Sequence, residues 1–270
     1  SPASASPNPR NNLEYKMTRT VYINGDYLPE NEAKISIFDR GFLMADSVYE
    51  VSAVIDGKLV DNLAHLHRLE RSLRELAMPL PLPLADIVAV QKQLIAANKL
   101  REGAVYLQVS RGVADRDFLY DPAMTPTLLL FTQARAIVDV PAAQKGLRVM
   151  SQADIRWARR DIKTTQLLAQ SLAKMAAKAA GYDDAWMVDG AGNVTEGSSN
   201  NVWIRRGNTL ITRPATHDIL NGITRQAAIT LLGEFGMKLD ERPFSLAEAR
   251  QADEAFMSAA TSFILPVVEI

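Results

Sequence analysis

The sequence predicts an α+β protein, on two observations. Short alternating apolar runs are joined by Asn-Gly and Asp-Gly turns, which read as hairpins. Helical periodicity appears in isolated segments between the hairpins rather than in strict strand–helix–strand alternation, which points to mixed sheets.

Residues 1–16 (SPASASPNPRNNLEYK) are polar and rich in Pro, Ser and Asn, and read as a disordered leader or tail. Residues 20–23, Asn24-Gly25 and 26–28 form the first predicted hairpin; residues 48–55, Asp56-Gly57 and 58–60 form the second. From Asn62 to Met78 the period changes, with Leu63, Leu66, Leu69, Leu73 and Leu76 on one face, so a helix starts at Asp61 or Asn62 and stops before the Pro79–Pro83 stretch. A helix over 84–100 and strands over 104–110 and 127–132 follow. Residues 134–145 (ARAIVDVPAAQK) read as an interdomain linker, or as an edge strand ending at Pro141. They divide a small N-terminal α/β domain, 17–133, from a larger C-terminal domain, 146–270. In the second domain the pattern predicts a strand at 147–151, a helix at 165–180 and hairpins at 185–194 and 202–211. Helices at 224–235 and 245–250 and a strand at 255–257 complete it.

With 30 Lys+Arg against 31 Asp+Glu, the chain has no bulk attraction for nucleic acid or an anionic membrane. No Cys means no disulfide, no thiolate nucleophile and no Cys-based metal site. His65 and His67, two apart on a predicted helix, face different directions and cannot form a same-face metal pair; they read as surface or interface residues, and no metal is expected. No apolar run approaches the ~20 residues of a membrane span, and the expected location is cytoplasmic. The absence of Gly-x-Ser-x-Gly, Walker and Gly-x-Gly-x-x-Gly patterns removes the usual support for hydrolase, NTPase and nicotinamide chemistry.

Four local features carry candidate chemistry. Lys163, where an Arg/Asp-rich turn meets an Ala/Leu-rich helix, is either partly desolvated and suited to Schiff-base chemistry or an ordinary solvated lysine. Glu196, within Thr195-Glu-Gly-Ser-Ser-Asn-Asn201, is either a turn residue or a carboxylate held inside to meet a ring nitrogen or a cation. Leu220-Asn-Gly-Ile-Thr-Arg225 leads from a turn into a helix, where Ile223 and Thr224 could cradle a phosphate, unless Thr224 is only an N-cap. Ala259-Ala-Thr-Ser262 is a small-residue loop that could place a hydroxyl on the same phosphate.

In order along the chain, Asp39-Arg-Gly41, Asp46-Ser-Val-Tyr-Glu-Val51, His65-Leu-His-Arg-Leu69, Asp154-Ile-Arg-Trp157, Asp161-Ile-Lys163, Thr195–Asn200, Leu220–Arg225 and Thr261-Ser262 resemble the fold-type-IV pyridoxal-phosphate aminotransferases, with D-amino-acid transaminases nearest in pattern. The resemblance implies a two-domain fold-type-IV enzyme using pyridoxal 5'-phosphate. It implies that Lys163 carries the Schiff base and the proton, and that Glu196 faces the pyridine nitrogen. Arg68, Ile223, Thr224 and Thr261 would hold the phosphate, with Ser199, Asn200, Leu220 and Gly222 completing the cofactor site. Tyr49, Arg116, Arg156 and Ala260 would line the substrate side, and Glu50 would point to the opposite face as a structural or dimer residue. The resemblance further implies a homodimer whose loop 113–120 reaches the neighbouring site, acting on small amino and oxo acids.

Two departures stand out. Arg116 matches the arginine of the family's Arg-x-His carboxylate trap, but Phe118 stands where the histidine should be, so Arg40 becomes an alternative anchor. Ala259-Ala260 replaces hydroxyl residues of many relatives. The expected reaction moves the amino group of a D-amino acid such as D-alanine to a 2-oxo acid such as 2-oxoglutarate in ping-pong half-reactions. The alternatives are a branched-chain L-amino-acid or (R)-amine transaminase, an aminodeoxychorismate lyase, and a phosphate-ligand binding module, against which the presence of both Lys163 and Glu196 argues.

Overall fold

The computed structural model describes residues 18–270, so the tail expected at 1–16 lies outside the described residues. Asn24 and Gly25 take φ values of 49° and 111°, the left-handed pair that folds β1 (Thr20–Ile23) back on β2 (Asp26–Pro29). A short helix, α1 (Arg40–Met44), is capped by Asp39, whose side chain accepts from Gly41 N at 2.8 Å. It has no apolar period, so pattern reading missed it. Then come β3 (Ser47–Ile55), β4 (Lys58–Leu59), α2 (Asn62–Glu75), α3 (Leu84–Ala97), β5 (Gly103–Ser110) and β6 (Thr127–Ala134). These strands form one antiparallel sheet in the order β2-β1-β6-β5-β3-β4.

The apolar faces of α2 and α3 cover that sheet through Leu66, Leu69, Leu73, Ile87 and Leu94, packed against Val48, Leu107 and Leu130. Leu63, expected on the same face, is exposed, because the stripe drifts off the core at the helix start. The helix also ends short of Met78, where Ala77 turns left-handed at φ 49°.

Residues 134–145 are neither an open linker nor an edge strand throughout. Glu102 Oε1 accepts from Ile137 N at 2.6 Å and Val138 N at 2.8 Å, Ile137 is buried, and the last five residues form α4 (Pro141–Lys145) with Pro at the helix start. Beyond lie β7 (Leu147–Ala153), α5 (Leu168–Ala179), β8 (Asp184–Val188), β9 (Val194–Gly197), β10 (Asn201–Arg206) and β11 (Thr209–Thr212). The chain continues through α6 (Ile223–Leu231), β12 (Lys238–Glu241), α7 (Leu246–Arg250), β13 (Glu254–Ala259) and β14 (Phe263–Glu269). The second sheet runs β12-β11-β10-β13-β14-β7-β8-β9 and is mixed, with β11/β12, β14/β7 and β7/β8 parallel. Its core gathers Trp186, Val202, Ile204, Ile211 and Phe244. The edge strand β12 has the polar sequence KLDE and is defined by its pairing with β11 rather than by alternation. Helix α6 stops at Leu231 rather than at 235, and turns carry the chain to Gly236 at φ 63°. Among the described residues no helix is long and apolar enough to cross a membrane, and no group of three His, Cys, Asp or Glu side chains could hold a metal ion.

Candidate active site

The two sheets meet where residues 161–165, between β7 and α5, run along β3. Tyr49 N donates to Lys163 O at 3.0 Å, Thr165 N donates to Ser47 O at 3.1 Å, and the Ser47 and Thr165 hydroxyls share a hydrogen bond. This strand-like docking is why α5 begins at Leu168, three residues later than its apolar period suggests: the Thr164–Thr165 backbone is engaged by β3. The turn before it is anchored by Asp161, which accepts from Arg71 Nη2 at 2.6 Å and Arg159 Nε at 3.0 Å. With its backbone fixed on both sides, Lys163 holds Nζ 4.3 Å from the centroid of the Tyr49 ring, and no carboxylate among the described residues pairs with it. Tyr49 stacks on Tyr106, which stacks on Phe131, giving an aromatic surface across β3, β5 and β6.

Opposite stands Glu196 on β9, buried rather than in a surface turn. Arg156 Nη1 bonds its Oε1, while Oε2 accepts only from Asn201 Nδ2 at 3.1 Å and Leu220 N at 3.3 Å. Burial pushes the Glu196 carboxyl up from its ordinary value, against the opposing charge and hydrogen bond of Arg156.

The third wall is the N-terminus of α6. Gly222 is its N-cap, so Thr224 is the second helical residue and not the cap, and no side chain caps the helix. The first-turn N–H groups of Ile223 and Thr224 therefore have no intrahelical partner. A Cβ on Gly222 would lie 2.2 Å from Asn201 Oδ1, so glycine is what lets Asn201 brace the turn through Leu220 O at 2.8 Å. Arg68 approaches from α2. Its Nε and Nη2 fork onto Glu50 at 2.7 Å each and Nη1 reaches Asn221 O at 2.9 Å, leaving one hydrogen on each terminal nitrogen for a further acceptor.

Glu50 thus has a definite task that strand alternation alone did not reveal: it holds Arg68. His65, expected at the surface or an interface, is 2% exposed within the chain, with Nδ1 2.8 Å from Glu50 Oε2; His67 is exposed. Burial would raise the Glu50 pKa, but the Arg68 charge and fork, helped by His65, outweigh it and hold the carboxyl at about 2. A depressed carboxyl stabilises the fold above its unfolded pKa. Stability is therefore expected to fall as pH drops from 4.5 towards about 2. Glu50→Gln should lower stability at neutral pH and flatten this part of the acid limb, as measured by denaturant unfolding above and below that window.

One cleft of ≈ 610 Å³ brings these walls together. Tyr49, Arg68, Arg156 and Lys163 line it, with Glu196, Ser199 and Asn200 on the β9–β10 side. Leu220, Gly222, Ile223 and Thr224 line the helix end, and Ala260 and Thr261 come from the β13–β14 turn. Arg116 does not line the cleft; it is exposed, 5.6 Å from the Phe118 ring centroid. Arg40, the alternative anchor, is buried outside it, with Nε on Asp46 at 2.8 Å and Nη1 on Asp117 O at 2.6 Å. Glu50, Asp154 and Asn201 fall inside the segments singled out in the sequence, but reading by motif gave Asp154 and Asn201 no role and did not pair Glu50 with Arg68.

The family pattern described as amino-transferase class IV matches residues 47–270. The chain belongs to the class IV aminotransferases. It is 34% identical over 252 residues to the D-alanine aminotransferase of Bacillus licheniformis, covering 93% of this chain and 88% of that protein. The fold of this class IV aminotransferase is shared with the branched-chain amino acid aminotransferase of Escherichia coli, at a TM-score of 0.85 and 22% identity, over 94% of this chain and 86% of that one. A putative 4-amino-4-deoxychorismate lyase from Legionella pneumophila matches at a TM-score of 0.77 and 26% identity, over 88% and 87% of the two chains.

Class IV aminotransferases use pyridoxal phosphate, and a branched-chain amino acid aminotransferase of this fold has been solved with pyridoxamine 5'-phosphate. The cleft of this chain fits that group. An unpaired amine, a buried carboxylate with a weakly occupied oxygen and a glycine-capped helix end beside an arginine with two spare hydrogens match the aldehyde, ring nitrogen and phosphate of pyridoxal phosphate.

Proposed function

We propose that this class IV aminotransferase moves the amino group of a D-amino acid such as D-alanine to a 2-oxo acid such as 2-oxoglutarate, in two half-reactions that share one site. The observation that carries the reading is the identity to a D-alanine aminotransferase over almost the whole chain, joined to a cleft holding both Lys163 and Glu196. Bound pyridoxal phosphate supplies the carbonyl that takes the amino group and the ring that takes up the electron pair released at Cα.

The chain's own groups do the rest. Arg68, the Ile223 and Thr224 N–H groups and the Thr261 hydroxyl hold the phosphate, with Ser199, Asn200, Leu220 and Gly222 closing the cofactor side. Glu196 keeps a proton on the ring nitrogen. Lys163 Nζ takes the proton from Cα of the donor and, in the second half, returns it to Cα of the acceptor. Tyr49, Arg156 and Ala260 border the substrate, and the stack of Tyr106 and Phe131 behind Tyr49 fixes its ring. A panel of D-alanine, L-leucine and aminodeoxychorismate, each scored for the product formed, tests the reading. Turnover of L-leucine without D-alanine would replace it with the branched-chain alternative, and pyruvate release from the third compound with the lyase.

The same reading includes a homodimer. Phe38 O accepts from Ala114 N at 3.2 Å, joining the segment before α1 to loop 113–120, and there Phe42, Phe118 and Leu119 are 68%, 77% and 82% exposed. An apolar surface of this kind is what a second copy would cover, and it would carry Arg116 to the neighbouring cleft. Arg116→Ala then removes a carboxylate contact of roughly 1.5–3 kcal/mol, about ten- to a hundredfold in kcat/KM for amino acids, and spares carboxylate-free amines. A change under twofold with D-alanine would remove Arg116 from the site.

A further inference from the structure

Arg156 divides its donors unequally. Nε and Nη2 fork onto Asp154 at 2.9 and 2.7 Å, whereas Nη1 alone reaches Glu196. The Asp154 side chain is fully buried, and accepts further from Thr195 Oγ1 at 2.7 Å, with Arg160 Nε 3.3 Å away. Two carboxylates thus compete for one guanidinium, and the one outside the cleft lining holds the two-point grip. Glu196 Oε2 consequently keeps lone-pair capacity, meeting only the longer amide contacts of Asn201 and Leu220.

We infer that Asp154 is a positioning residue that restrains Arg156 so that Glu196 retains a basic oxygen for the ring nitrogen; this rests on the proposed placement of Glu196 at that nitrogen. Without the Asp154 charge, Arg156 is free to turn its fork onto Glu196. A carboxylate bound by a full guanidinium fork is a poorer acceptor for a second proton-bearing partner. The direction agrees with the field at Glu196, where Asp154 pushes the carboxyl up and Arg156 pulls it down.

The test uses holoenzyme loaded with cofactor labelled with nitrogen-15 in the ring, whose chemical shift separates a protonated from a neutral pyridine nitrogen. Asp154→Asn is expected to move the signal towards the neutral position while cofactor affinity stays within about threefold, with kcat lowered about tenfold. In Asp154→Asn/Arg156→Gln the signal is expected back at the protonated position, because the competing guanidinium is gone. A protonated ring in Asp154→Asn, or a neutral ring in the double variant, overturns the inference. If Asp154→Asn fails to fold, Asp154→Ser, which removes the same charge with a smaller side chain, carries the same two outcomes: a neutral ring supports the inference and a protonated ring overturns it. Glu196→Gln is the separate control: a neutral ring there upholds the placement of Glu196, and a protonated ring removes that placement itself.

Discussion

Lys163→Ala is expected to abolish transamination while leaving the fold in place. The side chain contributes Nζ over the Tyr49 ring and no ion pair, whereas its backbone carbonyl, which accepts from Tyr49 N, is unchanged by alanine. The docking of residues 161–165 on β3 rests on backbone bonds and on Asp161, so circular dichroism and thermal midpoint should stay close to wild type. Activity loses two things together, the amine that binds the aldehyde and the base that moves the Cα proton. Proton transfer by a placed base is itself worth about 10²–10⁴-fold, so a fall in kcat of at least ~10⁴ is expected once nucleophilic attachment is lost as well. Borohydride reduction and mass spectrometry provide the second readout: cofactor mass on Lys163 in the wild type and on no residue in the variant. Turnover within tenfold of wild type in folded Lys163→Ala would remove Lys163 from the chemistry and with it the transaminase reading.

How much of this was legible in the sequence differs by type of interaction. Hairpins written by Asn24-Gly25 and Asp56-Gly57 were legible because a two-residue turn needs positive φ and few residues tolerate it. Helix α2 was legible at its start at Asp61–Asn62 and in its centre, where Leu66, Leu69 and Leu73 meet the sheet, and misread at its C-terminal end, where a single left-handed residue rather than the apolar period decides the stop. Helix α1 and strand β12 owe their form to a cap and to a neighbour, which no period records. Cleft residues carried by motifs, Lys163, Glu196 and the turn into α6, do converge on one cavity. The groups that hold them could not be read the same way. Glu50 and Arg68 are 18 positions apart and Arg156 and Glu196 are 40 apart, and such pairings exist only once α2 has packed on β3 and the turn after β7 has folded against β9.

Glu196→Gln is the second large effect, and it separates function from stability. A neutral amide cannot hold the ring nitrogen in its protonated form, so the ring accepts the Cα electron pair poorly and kcat should drop about 10²–10⁴-fold. The cofactor should nevertheless stay bound, because its phosphate is held by the α6 end and Arg68, which this change does not touch. Removing one member of a buried ion pair ordinarily costs about 3–5 kcal/mol, since it leaves the other charge unpaired. Here Arg156 keeps its two-point grip on Asp154, so no unpaired guanidinium results. Burial already disfavours the ionised Glu196 more than Arg156 offsets, which is the meaning of its raised pKa. A carboxyl whose folded pKa is raised destabilises the fold above its unfolded pKa, so at neutral pH the glutamine variant should unfold at the wild-type temperature or higher. Differential scanning calorimetry beside steady-state kinetics measures both sides. An unchanged rate would reduce Glu196 to a structural residue of β9, and a large loss of thermal stability would mean that its charge, not its environment, holds this corner of the cleft together.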